Sequence, residues 1–275
     1  MIYHRYVPQP PLSEFVECFW LYDGDSVSHA KEKLLPTGTL ELVIHLGRHL
    51  TRIYDREDSQ KFQTFDSPLI AGPHSQPFVI DTPDRQGPII GVHFKPGGAF
   101  PFFNLPAAEL QNTHVSLQTL WGTVAADLRD RLIEAQTARL KYRILEQYLL
   151  ARAGHSLKRH PAVSFALREF QRPSDLPAVS DVTEQVGLST RHFIQIFKNE
   201  VGLTPKLFCR IQRFQRVIHR IERLAQVDWT EVALEFGYFD QAHFIHDFKD
   251  FCGLNPTTYF AHRNRAHLNH IPLRD

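Results

Sequence analysis

The sequence predicts an α+β protein with a β-rich domain first and an all-helical domain after it. The chain has 275 residues, enough for two domains that each bury a core. Short apolar runs bounded by proline and glycine fill roughly the first 120 residues, whereas apolar residues recur at helical spacing in most of the remainder. The helical part also repeats itself, and this repeat is the strongest pattern in the chain.

Composition restricts the function classes only broadly. The 31 basic and 30 acidic residues give a formal net charge of +1, which argues neither for nor against a nucleic-acid partner. Three cysteines, Cys18, Cys209 and Cys252, lie far apart without a CxxC pair, as expected in a reducing compartment. The start lacks a signal-peptide pattern, and no apolar run approaches the roughly 18–20 residues that span a bilayer. We expect a cytoplasmic protein with no membrane partner.

Residues 1–153 are expected to form a sensor or dimerisation domain built on a small β-barrel or sandwich. Four stretches have the character of strands: Leu40–Gly47, Ser67–Pro73, Pro77–Thr82 and Pro88–Gly98. The helix that includes Leu140–Leu149 either caps this domain or pairs with its copy in a homodimer, and capping is favoured. Residues 154–160 are polar and precede a proline, which predicts a linker; residues 266–275 are expected to form a tail.

An internal repeat organises the predicted helical domain, residues 161–265. Val182–Gly187 aligns with Val232–Gly237 at an offset of 50, and His192–Pro205 aligns with His243–Pro256 at an offset of 51. The segment between the blocks is LSTR in the first copy and YFDQA in the second, one residue longer. Each copy predicts a short helix, a tight turn and a second helix. This is the helix–turn–helix geometry, in which the second helix enters the major groove of DNA.

The predicted units span about 179–201 and 228–252, joined by a long helix at about 205–224. Ser189 and Asp240 are expected to cap the second helix of each unit, and Gly187 to end a helix. Phenylalanines spaced four residues apart, Phe193 with Phe197 and Phe244 with Phe248, are expected in the core. The joining helix carries a stripe of six basic residues, interrupted only by Glu222, which favours a phosphate-facing surface: Lys206, Arg210, Arg213, Arg216, Arg220 and Arg223.

Pro161 to Tyr259, and above all GYFDQAHFIHDFKDFCGLNPTTYF, closely resembles the DNA-binding domain of the AraC/XylS family of transcription regulators. The resemblance implies two helix–turn–helix units, binding to double-stranded promoter DNA, and RNA polymerase as a further partner. It also implies control by a small-molecule effector or by dimerisation through the first domain. Two positions depart from the family pattern: Thr183 replaces a usual alanine, and His246 replaces a common arginine.

The first 150 residues resemble more loosely the sensor domains of some members, of a β-barrel, cupin-like type, through LLPTGTLELVIHLG, LIAGPHSQP and GVHFKPGGAF. A pocket for an unknown effector is therefore sought here, with His45, His93, Phe94 and Phe100 as candidates. The aromatic residues are equally consistent with an ordinary core. A metal site of His45, His74 and His93 is disfavoured, because no HxH followed by a suitably spaced glutamate occurs.

The DNA contacts expected from the sequence fall into two groups. Candidates for base contacts lie in the N-terminal part of each second helix: Thr190, Arg191, His192, Gln195, Gln241, Ala242, His243 and His246. Candidates for phosphate contacts are Ser189, Lys198, Lys206, Arg210, Arg213, Arg216 and Lys249. The two equivalent histidines, His192 and His243, either face the groove or pack locally.

Two other function classes remain to be weighed against DNA binding. A metal-dependent enzyme would use His243, His246 and a carboxylate, but in the first copy Gln195 replaces His246 and Val201 replaces Cys252. The chain also lacks the HExxH, nucleophile-elbow and phosphate-loop motifs, so we expect no enzyme activity, catalytic residue, metal or cofactor. A helical adaptor that binds another protein is the remaining alternative.

Overall fold

A computed structural model describes residues 2–23, 31–47, 50–83, 87–153, 157–172, 177–263 and 268–273. Residues 154–156 of the predicted linker and residues 266–267 and 274–275 of the predicted tail lie outside these ranges. Within the ranges, no helix has the length and apolar character needed to cross a bilayer.

Two antiparallel sheets form the β-rich part. The strands are β1 (Ile2–Tyr6), β2 (Val16–Asp23), β3 (Lys31–Leu34), β4 (Glu41–His45), β5 (Thr51–Tyr54), β6 (Phe62–Phe65), β7 (Leu69–Ala71), β8 (Phe78–Asp81), β9 (Ile89–Phe94), β10 (His114–Ser116) and β11 (His270–Leu273). One sheet has the order β1-β2-β9-β4-β7-β10 and the other β11-β3-β8-β5-β6. Each of the four predicted strand stretches contains a strand, namely β4, β7, β8 or β9.

Most helices lie in the part of the chain where apolar residues recur at helical spacing, as the sequence predicted. They are α1 (Phe100–Phe103), α2 (Leu117–Trp121), α3 (Thr123–Glu134), α4 (Ala138–Ala153), α5 (Pro161–Phe170), α6 (Val179–Val186), α7 (Thr190–Val201), α8 (Pro205–Glu222), α9 (Trp229–Glu235), α10 (Gln241–Cys252) and α11 (Pro256–His262). The two-domain α+β architecture predicted from the sequence is confirmed.

The first core lies between one face of the six-stranded sheet and helices α3 and α4. Ile44 and Val92 of the sheet share this cluster with Leu128 and Leu145 of the helices, and all four are fully or almost fully buried. On α4, the ring of Tyr142 stacks on Tyr6 of β1 at a centroid distance of 5.1 Å. Helix α4 therefore caps the β-rich domain, as the favoured prediction stated.

The second core surrounds α8, with both helix–turn–helix units packed around it. The four repeat phenylalanines, Phe193, Phe197, Phe244 and Phe248, are at most 1 % exposed, which confirms their predicted role. Phe248 makes an edge contact with Phe214 of α8 at 5.1 Å between centroids. Aromatic rings in this geometry stabilise a core beyond their buried area alone.

The two domains are in close contact. Gly202, which ends α7 with a φ of 87°, lies so near the first domain that a Cβ there would be 2.3 Å from Cγ of Pro73. Gln215 of α8 donates hydrogen bonds to the Pro36 carbonyl (2.7 Å) and to Oδ1 of Asn269 (2.9 Å). Part of the predicted tail forms β11, which pairs with β3, so residues 270–273 join the five-stranded sheet.

Candidate nucleic-acid interface

The first unit consists of α6 and α7, and the N-terminal part of α7 faces solvent. Gly187 ends α6 in the left-handed conformation at a φ of 71°. The Ser189 side chain then accepts a hydrogen bond from the His192 backbone N–H at 3.3 Å, which confirms the predicted cap. The four base-contact candidates of this unit are exposed: Thr190, Arg191, His192 and Gln195. In α6, the Thr183 hydroxyl donates to the Val179 carbonyl at 2.7 Å, so the departure from alanine is accommodated within the helix.

The second unit repeats this design with α9 and α10. Asp228 caps α9 by accepting from the backbone N–H groups of Thr230 and Glu231. Asp240 caps α10 by accepting from the His243 backbone N–H at 2.7 Å, again as predicted. The base-contact candidates Gln241, Ala242, His243 and His246 are exposed. In both units, the base-contact candidates next to the buried phenylalanines are therefore exposed to solvent and accessible to a partner.

The three histidines among the base-contact candidates differ in their contacts with neighbouring side chains. His192 is exposed in its unit. The His243 ring is exposed as a whole but meets the ring of Tyr238 edge-on, at 5.3 Å between centroids. His246 is 77 % exposed, and its Nδ1 lies 3.6 Å from Oδ2 of Asp250. All three side chains are accessible to a partner that approaches the recognition helices. The His243 ring is also held by its contact with Tyr238.

The buried carboxylate and the buried thiol of α10 have other roles. Asp247 is buried and accepts a hydrogen bond from Nε of Arg210 at 2.8 Å. Cys252 is fully buried, and burial raises the pKa of its thiol to about 12, so the thiol stays protonated. In the described part of the chain, no group of three or more His, Cys, Asp or Glu side chains could hold a metal ion. His243 and His246 therefore lack a third ligand there.

The basic stripe of α8 mostly connects α8 to its neighbours. Arg210 pairs with Asp247 and Asp250 of α10, and these carboxylates raise the pKa of Arg210 although burial alone would lower it. The Arg213 guanidinium lies 5.1 Å from the centroid of the Tyr238 ring. Arg216 donates to two carbonyls at the end of α5, those of Phe170 (3.3 Å) and Arg172 (2.6 Å).

Three of the six basic phosphate candidates, Arg210, Arg213 and Arg216, thus have partners within the fold. Lys206 at the start of α8 and Lys249 on α10 are exposed, and Lys198 on α7 is half-buried.

The sequence analysis missed the role of Asp247, although the repeat contained a signal for it. Asp247 occupies the position of Ile196 in the first copy, so a charge replaces an apolar residue on the inward face. A buried charge requires a partner, and Arg210 supplies it.

Comparison with known proteins agrees with this geometry. Residues 182–262 match a helix-turn-helix domain family. The C-terminal domain is an AraC-type helix–turn–helix domain. Residues 4–116 match a domain of unknown function, DUF6597.

An uncharacterized HTH-type transcriptional regulator of Haemophilus influenzae is 30 % identical over 89 residues, which are 32 % of this chain. The match spans only 30 % of that protein's length. Two solved structures of ToxT from Vibrio cholerae also resemble the chain. One, at 1.65 Å resolution, has a TM-score of 0.48 and 8 % identity, and covers 88 % of this chain and 98 % of ToxT. The other, bound to an unsaturated fatty acid, has a TM-score of 0.43 and 10 % identity, and covers 88 % of this chain and 94 % of ToxT.

The four side chains predicted to line an effector pocket do not come together. His93 and Phe94 are neighbours on β9, and successive residues of a strand point to opposite faces. Phe94 packs against Phe102 and Phe103 on the helix side of the sheet. His93 lies on the other face with Nδ1 3.3 Å from Oε1 of Glu41.

The other two pocket candidates lie on different elements, β4 and α1. His45 is buried, with Nε2 hydrogen-bonded to Oγ1 of Thr51 at 2.8 Å, and Phe100 begins α1. The sequence disfavours a metal site of His45, His74 and His93. The ring of His74 is tilted against that of His114, with 4.5 Å between the centroids.

A cleft of about 880 Å³ lies between the five-stranded sheet and helices α8 and α10. Its first wall carries three cations, Lys31, Lys33 and Arg56, and its second wall carries His246 and Lys249. A Cβ on Gly253 would lie 3.3 Å from Nζ of Lys33, so this ammonium sits at the C-terminal end of α10. The negative end of the helix dipole favours a cation at that place. Sequence reasoning missed the cleft because its walls are about two hundred residues apart in the chain.

Proposed function

We propose that this protein is a sequence-specific, DNA-binding transcription regulator of the AraC/XylS type. Helices α7 and α10 would enter adjacent major grooves of promoter DNA. The observation that carries the proposal is the duplicated design of the two units. In each, a side-chain cap and a buried pair of phenylalanines hold the second helix so that its N-terminal polar residues face solvent.

The length of α8 supports simultaneous contact with two grooves. Its 18 residues make a rod of about 27 Å. Successive major-groove faces on one side of DNA are about 34 Å apart, and α8 is the helix that joins the two units in the chain. A rigid connector of this length favours one fixed spacing between two half-sites over independent binding of two modules.

Distinct chemical roles are proposed for the exposed side chains. Arg191 would donate two hydrogen bonds to a guanine, and Gln195 or Gln241 would pair with an adenine. Ala242 suits the methyl group of a thymine. His192, His243 and His246 would donate or accept at base edges, and Thr190 would bond to a base edge through its hydroxyl.

The phosphate contacts are proposed for the cations that face solvent, Lys206 and Lys249, with Lys198 and the hydroxyl of Ser189 beside them. Arg210, Arg213 and Arg216 would contribute positive potential from their places in the fold rather than through dedicated phosphate bonds. Non-specific affinity would then depend on few cations and have a correspondingly shallow dependence on salt.

Control by an effector is proposed at the interdomain cleft, in place of the dispersed residues predicted from the sequence. Five lysine and arginine side chains from both domains line the cleft with the acidic Asp55 and Asp250, and this excess of positive charge suits an anionic small molecule: Lys31, Lys33, Arg56, Arg210 and Lys249. A molecule bound there would touch α10 and the five-stranded sheet at once and bias the position of a recognition helix. Thermal shift with a panel of organic carboxylates and phosphates tests this, comparing the parent with Lys249→Gln and, as a control outside the cleft, Lys61→Gln.

Selection of bound sequences from random duplex DNA tests the main proposal. We expect an enriched motif with two parts about 10 bp apart, one turn of the duplex. The adaptor alternative predicts no enrichment and no salt-dependent binding to duplex DNA. RNA polymerase and a second copy of the chain remain proposed partners, and the cytoplasm the proposed location.

A further inference from the structure

We propose that Phe239 is a specificity-determining residue that contacts the methyl group of a thymine beside the second recognition helix. This inference rests on the proposed function, because it requires α10 to enter a major groove. It begins from the one residue by which the two copies of the repeat differ in length.

The structure identifies the extra residue. Ser189 and Asp240 cap the equivalent helices, so these two residues correspond. Between the glycine that ends the preceding helix and this cap, the first copy has only Leu188, which packs on the core. The second copy has Tyr238, which is buried, followed by Phe239. Phe239 is therefore an insertion relative to the first copy.

Phe239 has an unusual position for an aromatic side chain. It is 88 % exposed, the highest value among the exposed large hydrophobic residues of the described chain. Its neighbour Tyr238 points the other way, since Tyr238 is 4 % exposed and its ring contacts those of His243 and Phe244. The fold thus gains nothing from Phe239 by burial, and the ring is available to a partner that approaches this end of α10.

The place of Phe239 selects DNA as that partner. It directly precedes Asp240, the cap of α10, and lies beside Gln241 and Ala242 at the exposed N-terminal end of the helix. In helix–turn–helix domains this end of the second helix approaches the base edges. Among the groups that a base pair presents in the major groove, the C5-methyl group of thymine is the apolar one, and phenylalanine is among the side chains that contact it.

Single replacements of thymine by deoxyuridine in the selected DNA site test the contact. Each replacement removes one methyl group and leaves the hydrogen-bonding edge unchanged. Dissociation constants are measured for the parent, for Phe239→Ser and for the control Leu234→Ser, whose side chain is also exposed, at 65 %, but lies on α9. Thermal unfolding verifies that both variants fold.

We expect one deoxyuridine in the half-site of the second unit to weaken the parent about fourfold, the effect of losing one buried methyl group. Phe239→Ser should bind the thymine duplex at least that much more weakly and should show no further loss with deoxyuridine at that position. Leu234→Ser should keep the full sensitivity. Equal deoxyuridine penalties in the parent and Phe239→Ser at every position would overturn the proposal, as would unchanged affinity of Phe239→Ser, which would indicate a protein partner. A parent that binds no duplex DNA would instead overturn the proposed function itself.

Discussion

Replacing Arg210 by glutamine should destabilise the helical domain and leave the salt dependence of DNA binding nearly unchanged. Arg210 is 35 % exposed at its side chain, whereas its partner Asp247 is only 3 % exposed. Without the guanidinium, the carboxylate of Asp247 would retain, among the residues that the structure describes, only the Tyr238 hydroxyl, at 3.4 Å. The cost of leaving the buried Asp247 charge without its partner therefore dominates the loss of stability.

The magnitude follows from the burial of the pair. Breaking a fully buried ion pair by removing one partner costs about 3–5 kcal/mol. Because water reaches part of Arg210, we expect about 2–3 kcal/mol, or a fall of about 5–10 °C in the unfolding temperature. Asp247→Asn added to Arg210→Gln should recover part of this loss, since the double variant has no buried unpaired charge.

Lys206→Gln is the matched control, because Lys206 is exposed on the first turn of the same helix. It should leave the unfolding temperature unchanged and reduce the slope of log K against log salt concentration by about 1, as expected for one lost phosphate contact. Thermal unfolding and DNA titration at several salt concentrations give both quantities. If Arg210→Gln behaves like Lys206→Gln in both assays, Arg210 binds phosphate and the interpretation of the ion pair is wrong.

Three further predictions concern specificity, capping and pH. Arg191→Ala should lose about 1–3 kcal/mol of discrimination at one base pair, measured on duplexes with single substitutions; equal weakening on all sequences would make Arg191 a phosphate contact. Asp240→Ala should lower the free energy of unfolding by about 1 kcal/mol in urea titrations, whereas Asp240→Asn, which keeps an accepting oxygen, should stay close to the parent. Burial lowers the pKa of His74 to about 4. The unfolded chain binds a proton below about pH 6.5 while folded His74 stays neutral, so stability should fall by about 2 kcal/mol between pH 6.5 and 5. The fall should be smaller in His74→Phe, and an equal fall in both proteins would contradict the assignment.

The sequence predicted well what is local and repeated. The caps Ser189 and Asp240 and the phenylalanine pairs follow from spacing within a single helix and its turn, so the pattern alone located them. Two of the strands outside the four predicted stretches show why strands were missed. β6 (Phe62–Phe65) is exposed along most of its length, and β11 (His270–Leu273) contains a proline and pairs with a strand far away in the chain. Neither has the apolar run that indicates a buried strand.

The sequence predicted those parts of the candidate site that also depend on local spacing within one helix. Exposure of Arg191 and Gln241 follows from the helical period, which places them opposite the buried face. Tertiary packing determines which groups the α8 arginines contact. The sequence indicated one such partner, Asp247, because this charged residue stands at the repeat position that Ile196 occupies in the first copy. The effector-pocket prediction overlooked a local rule: His93 and Phe94 are adjacent in a strand and must face opposite sides of the sheet.

The spacing between the two half-sites tests the central claim most directly. Five base pairs inserted between the two parts of the selected site rotate one part to the opposite side of the duplex, about half a helical turn. Because α8 is one continuous helix between the two units, the protein cannot follow this rotation. We predict that affinity falls to that of a site containing one part alone, and that a 10-bp insertion does not restore it. Undiminished affinity for the DNA with the 5-bp insertion would contradict the account, because the two recognition helices would then bind DNA independently.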